Sequence, residues 1–264
     1  MVSIMLEQII KTLTEIKKVK PLVLNITNYV TMDFMANALL AMAAAPIMTV
    51  CDEELEELVK IANCININIG TLEESFIKRC YKILDLAKLY KKPLILDPVG
   101  SGASLIRTKT AKIIMEHADI VRGNASEIIS LQDESSLTFG VESIHSTAQA
   151  KDIAIELSRK YGFTVVVSGQ VDFITNGKKE AEIPFGSPFM PLVTGMGCTL
   201  TAIISVFRGV LNDSFESAQL ATIYFGLCGQ LAEQQARYPG TFRTAFIDQL
   251  YEANFVKMRR LYEK

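Results

Sequence analysis

No run of like charge stands out in this sequence of 264 residues. Its 27 lysines and arginines face 29 aspartates and glutamates, for a net charge of −2. Without a basic stripe or an arginine-rich arm, neither nucleic acid nor an anionic membrane surface is an expected partner. Cysteine is sparse and scattered: Cys51, Cys64, Cys80, Cys198 and Cys228 are odd in number and far apart. That spacing argues against a zinc knuckle or a disulfide framework and for a reducing, cytoplasmic compartment. The first twenty residues lack the basic start, apolar run and small-residue cleavage site of a secretory signal. Long apolar runs are missing as well. The longest, Phe34 to Val50, contains Asn37 and Pro46 and reads as a buried helix leading into a strand, too short to span a bilayer. No internal repeat or low-complexity linker divides the chain, so one domain over residues 1–264 is expected.

What is present is enough apolar material, 49% of residues against 21% charged, to fill a sizeable core and to make disorder improbable. Short aliphatic segments recur at Pro21–Thr27, Pro46–Val50, Cys64–Ile69, Pro93–Leu96, Asp119–Val121 and Thr164–Val167. Between them, 53–62, 72–90, 108–117 and 147–161 carry helical periodicity. Strands alternating with helices imply βαβ crossovers, hence a mostly parallel sheet with helices on both faces. After Val167 the pattern changes. Val171–Thr175, Asn176-Gly177 and Lys178–Ile183 read as an antiparallel hairpin on a tight Asn-Gly turn. The C-terminal third is expected to be helical over 198–209, 214–236 and 243–263, and 132–143 to be a surface loop.

In such a sheet ligands bind beyond the carboxyl ends of the strands, and polar clusters sit at those ends. They are Asn25-Ile-Thr-Asn28, Asn68-Ile-Gly-Thr71, Asp97-Pro-Val-Gly-Ser-Gly102, Arg122-Gly-Asn-Ala-Ser-Glu127 and Ser168-Gly-Gln-Val-Asp172. Any one alone is more often a turn or cap; five on one edge point to a site. The sharpest element is Val193-Thr-Gly-Met-Gly-Cys-Thr199 before an apolar helix. Two glycines at a helix N-terminus let bare N–H groups converge on an anion with the helix dipole behind them. The same position is expected to lower the pKa of Cys198. The motif lacks the Gly-Lys-Ser/Thr ending of a Walker A loop, and no Gly-x-Gly-x-x-Gly follows a strand, against a dinucleotide enzyme.

Taken together, Ile26-Thr-Asn28, Asp97-Pro-Val-Gly100, Arg122-Gly-Asn124 with Glu127, Thr194-Gly-x-Gly-Cys198 and Pro239-Gly-Thr-Phe242 resemble the hydroxyethylthiazole kinase family. The likeness runs from about Pro21 to Tyr251. It implies a ribokinase-like three-layer α/β/α fold and ATP-dependent phosphorylation of the thiazole alcohol, with Mg²⁺ as cofactor. It also implies roles. Gly195 and Gly197 would form the anion hole, with Gly195 also beside the substrate, and Cys198 would stand by the substrate hydroxyl where most ribokinase-like enzymes carry an Asp base. Asp97 and Glu127 would hold Mg²⁺, partly through water. Arg122, Ser168 and Thr194 would contact ATP, with Asn124 supporting the turn. Asn28 and the backbone at Met48 would hold the thiazole, and the family's homotrimer would place the site between subunits.

The chain departs from the family pattern at Leu24, where His is usual, at Ser168, where Thr is usual, and at Ala43-Ala-Ala-Pro46, where Gly-Ala-Ser-Pro is usual. Two other readings stay open on the sequence. One is another ribokinase-like vitamin kinase, such as one for hydroxymethylpyrimidine. The other is a non-catalytic ligand-binding protein of the same fold, against which stand the intact Asp97, Glu127, Gly195 and Gly197.

Overall fold

A computed structural model of the chain describes residues 2–132 and 147–263. Strands β1 (Leu22–Ile26), β2 (Ala45–Met48), β3 (Cys64–Asn68), β4 (Leu94–Asp97), β5 (Ile120–Asn124) and β6 (Thr164–Ser168) are parallel. The antiparallel pair β7 (Asp172–Thr175) and β8 (Glu180–Ile183) extends them into one sheet of order β2-β1-β3-β4-β5-β6-β7-β8. The β1 strand lies between β2 and β3, so the crossovers change direction there. A crevice at such a switch point is where ligands enter open α/β sheets.

Helices cover both faces, giving three α/β/α layers. One face packs α1 (Val2–Val19), α2 (Met32–Ala41), α8 (Met196–Arg208), α9 (Ser214–Glu233), α10 (Pro239–Glu252) and α11 (Phe255–Tyr262). The other packs α3 (Leu55–Ile61), α4 (Glu74–Tyr90), α5 (Leu105–Met115), α6 (Ala125–Ser130) and α7 (Thr147–Tyr161). Strand alternation sorts the side chains between the two layers. Val23, Cys64, Ile95, Ile120 and Val166 enter the first core, and Leu24, Ile65, Leu96, Val121 and Val165 the second. The same parity turns Asn68, Asp97, Arg122 and Ser168 toward α8. Leu24, one of the departures, is therefore a fully buried core residue on the opposite face. Among the described residues no helix is long and apolar enough to cross a membrane.

The strand expectations hold to within two or three residues at each end, and the differences have local causes. Asn25 lies inside β1 rather than after it, fully buried, with its Oδ1 accepting from Asn66 Nδ2 at 2.9 Å. The hairpin is not a two-residue turn: Thr175 pairs with Glu180 in register. Asn176 keeps φ negative, and its Oδ1 accepts from the N–H groups of Lys178 and Lys179 at 3.1 and 2.8 Å; Gly177 alone takes φ +79°. The last helix is two. Ala253, at φ +46°, ends α10, and Asn254 Oδ1 accepts from Lys257 N at 3.1 Å to start α11. The loop expected at 132–143 lies, from 133 on, outside the described residues. Cys51 is exposed, whereas Cys64, Cys80 and Cys228 are buried.

The Ala43 departure also has a structural consequence. Between α2 and β2 this residue takes φ +63°, a left-handed conformation that costs a Cβ-bearing residue about 1 kcal/mol. Glycine there loses more chain entropy on folding, which offsets part of the gain. Ala43→Gly is therefore expected to stabilise by about 0.5 kcal/mol, raising Tm by about 1–2 °C in calorimetry; an unchanged or lower Tm would rule out the strain.

Candidate active site

The site begins at the turn into α8. Gly195 is the residue before the helix, at φ +91°, and a Cβ there would sit 2.9 Å from Thr31 Cγ2. The helix starts at Met196, two residues earlier than expected, so Gly197 and Cys198 lie in its first turn. Its first i→i−4 bond runs from Thr199 N to Gly195 O at 2.8 Å. First-turn amides have no acceptor within the helix; that of Met196 donates back to Val193 O at 3.4 Å, and those of Gly197 and Cys198 stand at the positive end of the helix dipole.

Arg122 adds a full charge beside them. Its guanidinium crosses from β5 so closely that a Cβ on Gly197 would meet its Nη1 at 2.6 Å. Its Nε donates to Ser168 Oγ at 2.6 Å, and its Nη1 lies 3.8 Å from Asp97 Oδ2. This buried arginine and the α8 N-terminus make one cationic cradle, suited to phosphate oxygens.

Asp97, at the end of β4, is fully buried. Its Oδ2 accepts from Asn68 Nδ2 at 2.8 Å and Thr201 Oγ1 at 2.9 Å, while its Oδ1 is buried with no protein partner. Burial pushes this carboxyl up to about 6; Arg122 opposes the rise and Glu127 reinforces it. Glu127 holds the neighbouring loops. With Asn124 it forms a capping box at α6, its Oε2 accepting from Asn124 N at 2.8 Å and Asn124 Oδ1 accepting from Glu127 N at 2.9 Å. Its Oε1 accepts from Gly100 N at 2.9 Å. Each oxygen retains a further lone pair. Among the described residues no three His, Cys, Asp or Glu side chains gather closely enough to hold a metal by themselves.

At the switch-point side stands Asn28. Its Nδ2 donates to Asn68 Oδ1 at 2.8 Å and lies 3.6 Å from Cys198 Sγ, and its Oδ1 accepts from Thr31 N and Thr31 Oγ1 at 3.1 and 3.0 Å. The expected lowering of the Cys198 pKa is overturned. Burial of the thiol, and next the nearby Asp97 carboxylate, push it up, because desolvation of a thiolate outweighs the helix terminus. Cys198 therefore rests as a thiol.

A cavity of about 900 Å³ opens against the cradle. Arg122, Asn124, Ser168, Thr194, Gly195 and Gly197 give it a polar lining, and Phe185, Met190, Val193, Leu200 and Phe225 an apolar one. The far wall owes its position to two glycines of α9. A Cβ at Gly226 would overlap Phe185 at 2.6 Å, and one at Gly229 would overlap the Met190 side chain. Asp172 also lines the cavity; burial pushes it up to about 6 against the Gly169 N–H and Arg122. Asn28, Cys198, Asp97 and Glu127 lie outside this lining, beside or behind the cradle. Met48 stands apart at the end of edge strand β2, half-buried and in register with Asn25.

Three contributors had no role read from the sequence. Thr201 and Asn68 both donate to Asp97; a threonine in the second turn of an apolar helix gives no sign of it, although Asn68 did fall in a polar strand-end cluster. Arg107 donates to the carbonyls of Ile69, Val99 and Gly70 at 2.8, 2.8 and 3.0 Å, tying the loops after β3 and β4 together. It falls just before the helical segment expected from 108, although α5 begins at Leu105, and gave no signal.

Residues 13–254 match the model of the hydroxyethylthiazole kinase family. The chain is 50% identical over 262 residues to the hydroxyethylthiazole kinase of Chlamydia caviae, covering 98% of this chain and all of that one. In structure it is similar to the hydroxyethylthiazole kinase protein of Pyrococcus horikoshii OT3, with a TM-score of 0.86 at 34% identity over 93% of each chain. A ribokinase-like superfamily protein of Enterococcus faecalis shares the fold at 17% identity, with a TM-score of 0.59 over 88% of this chain and 86% of that one.

Proposed function

The chain belongs to the hydroxyethylthiazole kinase family, and on that premise we propose how its residues transfer phosphate from ATP to the hydroxyl of 4-methyl-5-(2-hydroxyethyl)thiazole. The observation that carries the reading is the cradle itself, a left-handed glycine turn opening α8 with a buried Arg122 laid across it. ATP enters the cavity with its base against the Phe185 and Val193 wall. Its phosphates meet Arg122, Thr194 and the first-turn amides, while Ser168 steadies the guanidinium through Nε. Phosphoryl transfer asks mainly for positioning and charge neutralisation, which fixed amides and a buried guanidinium supply without reorganising.

Mg²⁺ fits the acidic side of the cradle. Asp97 Oδ1 is a buried hard oxygen without a partner, and Glu127 keeps unused lone pairs, so these two would hold the ion, with phosphate oxygens or water filling the rest. When bound, it would neutralise charge on the phosphates. The acceptor alcohol lies at Asn28 and Cys198, with Gly195 beside the ring. As a thiol, Cys198 orients the hydroxyl, whose proton need not leave before the new phosphorus–oxygen bond forms.

A homotrimer that closes the acceptor side between subunits belongs to the same reading. What supports it is the edge strand β2, half-buried along its length, with Tyr29, Val30, Leu40 and Val50 exposed close by. Apolar side chains gathered at an unpaired sheet edge fit an interface.

The test is ATP consumption by purified protein with Mg²⁺ and the thiazole, with hydroxymethylpyrimidine alongside. Thiazole-dependent turnover is expected, with the mass of three chains by light scattering. Cys198→Asp is expected to keep or raise the rate, since a carboxylate is the better proton acceptor. Activity on the pyrimidine alone would overturn the substrate, and silence with both alcohols would leave a binding protein of this fold.

A further inference from the structure

Asn68 is the middle member of a hydrogen-bonded row that joins the acceptor side of the site to the phosphoryl side. It ends β3 and is fully buried. Its Oδ1 accepts from Asn28 Nδ2 at 2.8 Å and from Gly70 N at 3.0 Å, and its Nδ2 donates to Asp97 Oδ2 at 2.8 Å. Beyond these neighbours the row continues to Cys198 Sγ on one side and to Arg122 and Ser168 on the other.

The side chain at 68 must accept at one end and donate at the other, across a fixed span. A primary amide of this length does so; a carboxylate accepts only, and an aliphatic chain does neither. Burial alone does not explain the choice. Asn66, two residues earlier on the same strand face, pairs with Asn25 alone and leaves its Oδ1 without a partner. The bond to Gly70 adds a second constraint. It folds the backbone back so that a Cβ at Gly70 would lie 2.9 Å from Asn28 Cβ, Cγ and Nδ2, so the Asn28 amide is held both by hydrogen bonds and by the glycine packed against it. A buried amide bonded at both of its ends holds one orientation, and with it the groups it bonds.

We propose that Asn68 is a positioning residue for the transfer reaction: through its carbonyl it fixes the Asn28 amide that faces the alcohol, and through its amide it fixes the Asp97 carboxylate beside the cradle. It touches neither substrate, and its two ends serve two separable purposes. The inference rests on the functional reading above, which puts the alcohol at Asn28.

Steady-state kinetics on the purified full-length chain separate those purposes. Asn68→Ala removes both ends and is expected to raise the thiazole KM about tenfold and lower kcat about tenfold or more, with the ATP KM moving less than about threefold. Asn68→Asp keeps the acceptor for Asn28 and Gly70 but sets a second carboxyl against Asp97 in place of the amide donor. It is expected to hold the thiazole KM within about threefold of wild type while kcat falls about a hundredfold. In an Asn28→Ala background, Asn68→Ala is expected to leave the thiazole KM unchanged, because the contact it acts through is already gone. Thermal melts accompany each variant, and because Asn68→Asp is isosteric the split stays readable if the alanine variant fails to fold. A thiazole KM raised equally by Asp and Ala, multiplying KM effects of Asn28→Ala and Asn68→Ala, or an unchanged kcat in Asn68→Asp would each overturn the assignment. A wild-type chain inactive on the thiazole would overturn the functional reading first, and this inference with it.

Discussion

Gly197→Ala is expected to lower kcat/KM for the thiazole by about a hundred- to a thousandfold while changing the melting temperature little. The added methyl would stand 2.6 Å from Arg122 Nη1 and 3.2 Å from its Cζ, closer than such atoms approach. The guanidinium must give way, yet its Nε is held by Ser168 and its side chain is only 10% exposed, so it moves only by leaving the cradle. The backbone at 197 is ordinary helix and accepts alanine, which favours the helix by up to about 1 kcal/mol over glycine. Loss of activity and retained stability thus separate in one variant. Gly197→Asp goes further, placing negative charge where the phosphoryl group must sit, and should fall to background. Gly195→Ala makes the contrast, since at φ +91° and against Thr31 it should lose stability as well. Steady-state kinetics beside thermal melts decide the matter; a kcat/KM for Gly197→Ala within about threefold of wild type would show that Arg122 does not work from this position.

Asp97→Asn is expected to abolish turnover and to stabilise the metal-free protein at neutral pH. The carboxyl is pushed from an ordinary value of 3.8 to about 6 by burial. The folded state therefore holds its proton more tightly than the unfolded chain does. Stability from this group is fully present below about pH 4 and is lost as pH rises to about 6, leaving a cost of about 3 kcal/mol at neutrality. Asparagine is neutral and isosteric, and its oxygen can accept from Asn68 and Thr201 as Oδ2 does now. Arg122 loses its counter-charge, so the net gain is about 1–3 kcal/mol. Denaturant unfolding at pH 7.5 and pH 4.5 should show the gain at the higher pH and most of it lost at the lower one. A variant less stable than wild type at pH 7.5, or a gain that grows with acidity, would contradict this account of the site. Such a trade is common where function holds a charged group in an unfavourable place.

The two variants share a cause: the site keeps opposite charges close together away from water. Arg122 and Asp97 come from adjacent strands, β5 and β4, and alternation turns both toward α8. Their neighbours Val121 and Leu96 enter the other core, so a register slip of one residue in either strand would exchange polar and apolar faces.

What could be read from residue order alone was whatever depends on short range. Aliphatic runs between helical segments carry the parallel sheet, because strand and helix periods are local properties of the chain. Gly195 and Gly197 before an apolar helix carry the anion-binding turn, because its amides and its left-handed φ belong to consecutive residues. The capping box of Asn124 and Glu127 is likewise a four-residue pattern. The resemblance of five such motifs pointed to one family, and the family match agrees on the family.

The tertiary structure decided everything that depends on residues far apart in sequence. The Cys198 thiol was expected to be lowered by the helix start and is instead raised, because packing buries it and brings Asp97 near from 101 positions away. Asn176-Gly177 looked like a two-residue turn, but the strand register runs Thr175 to Glu180 and the asparagine bonds to the loop instead. The roles of Asn68, Thr201 and Arg107 became legible only once strands and helices met, since no local pattern says that a threonine on α8 will reach a carboxylate on β4. Local order determined the elements and the anion-binding turn by itself. Burial determined which groups are charged and which hydrogen bonds are obligatory, because desolvation acts on the assembled interior and not on the chain.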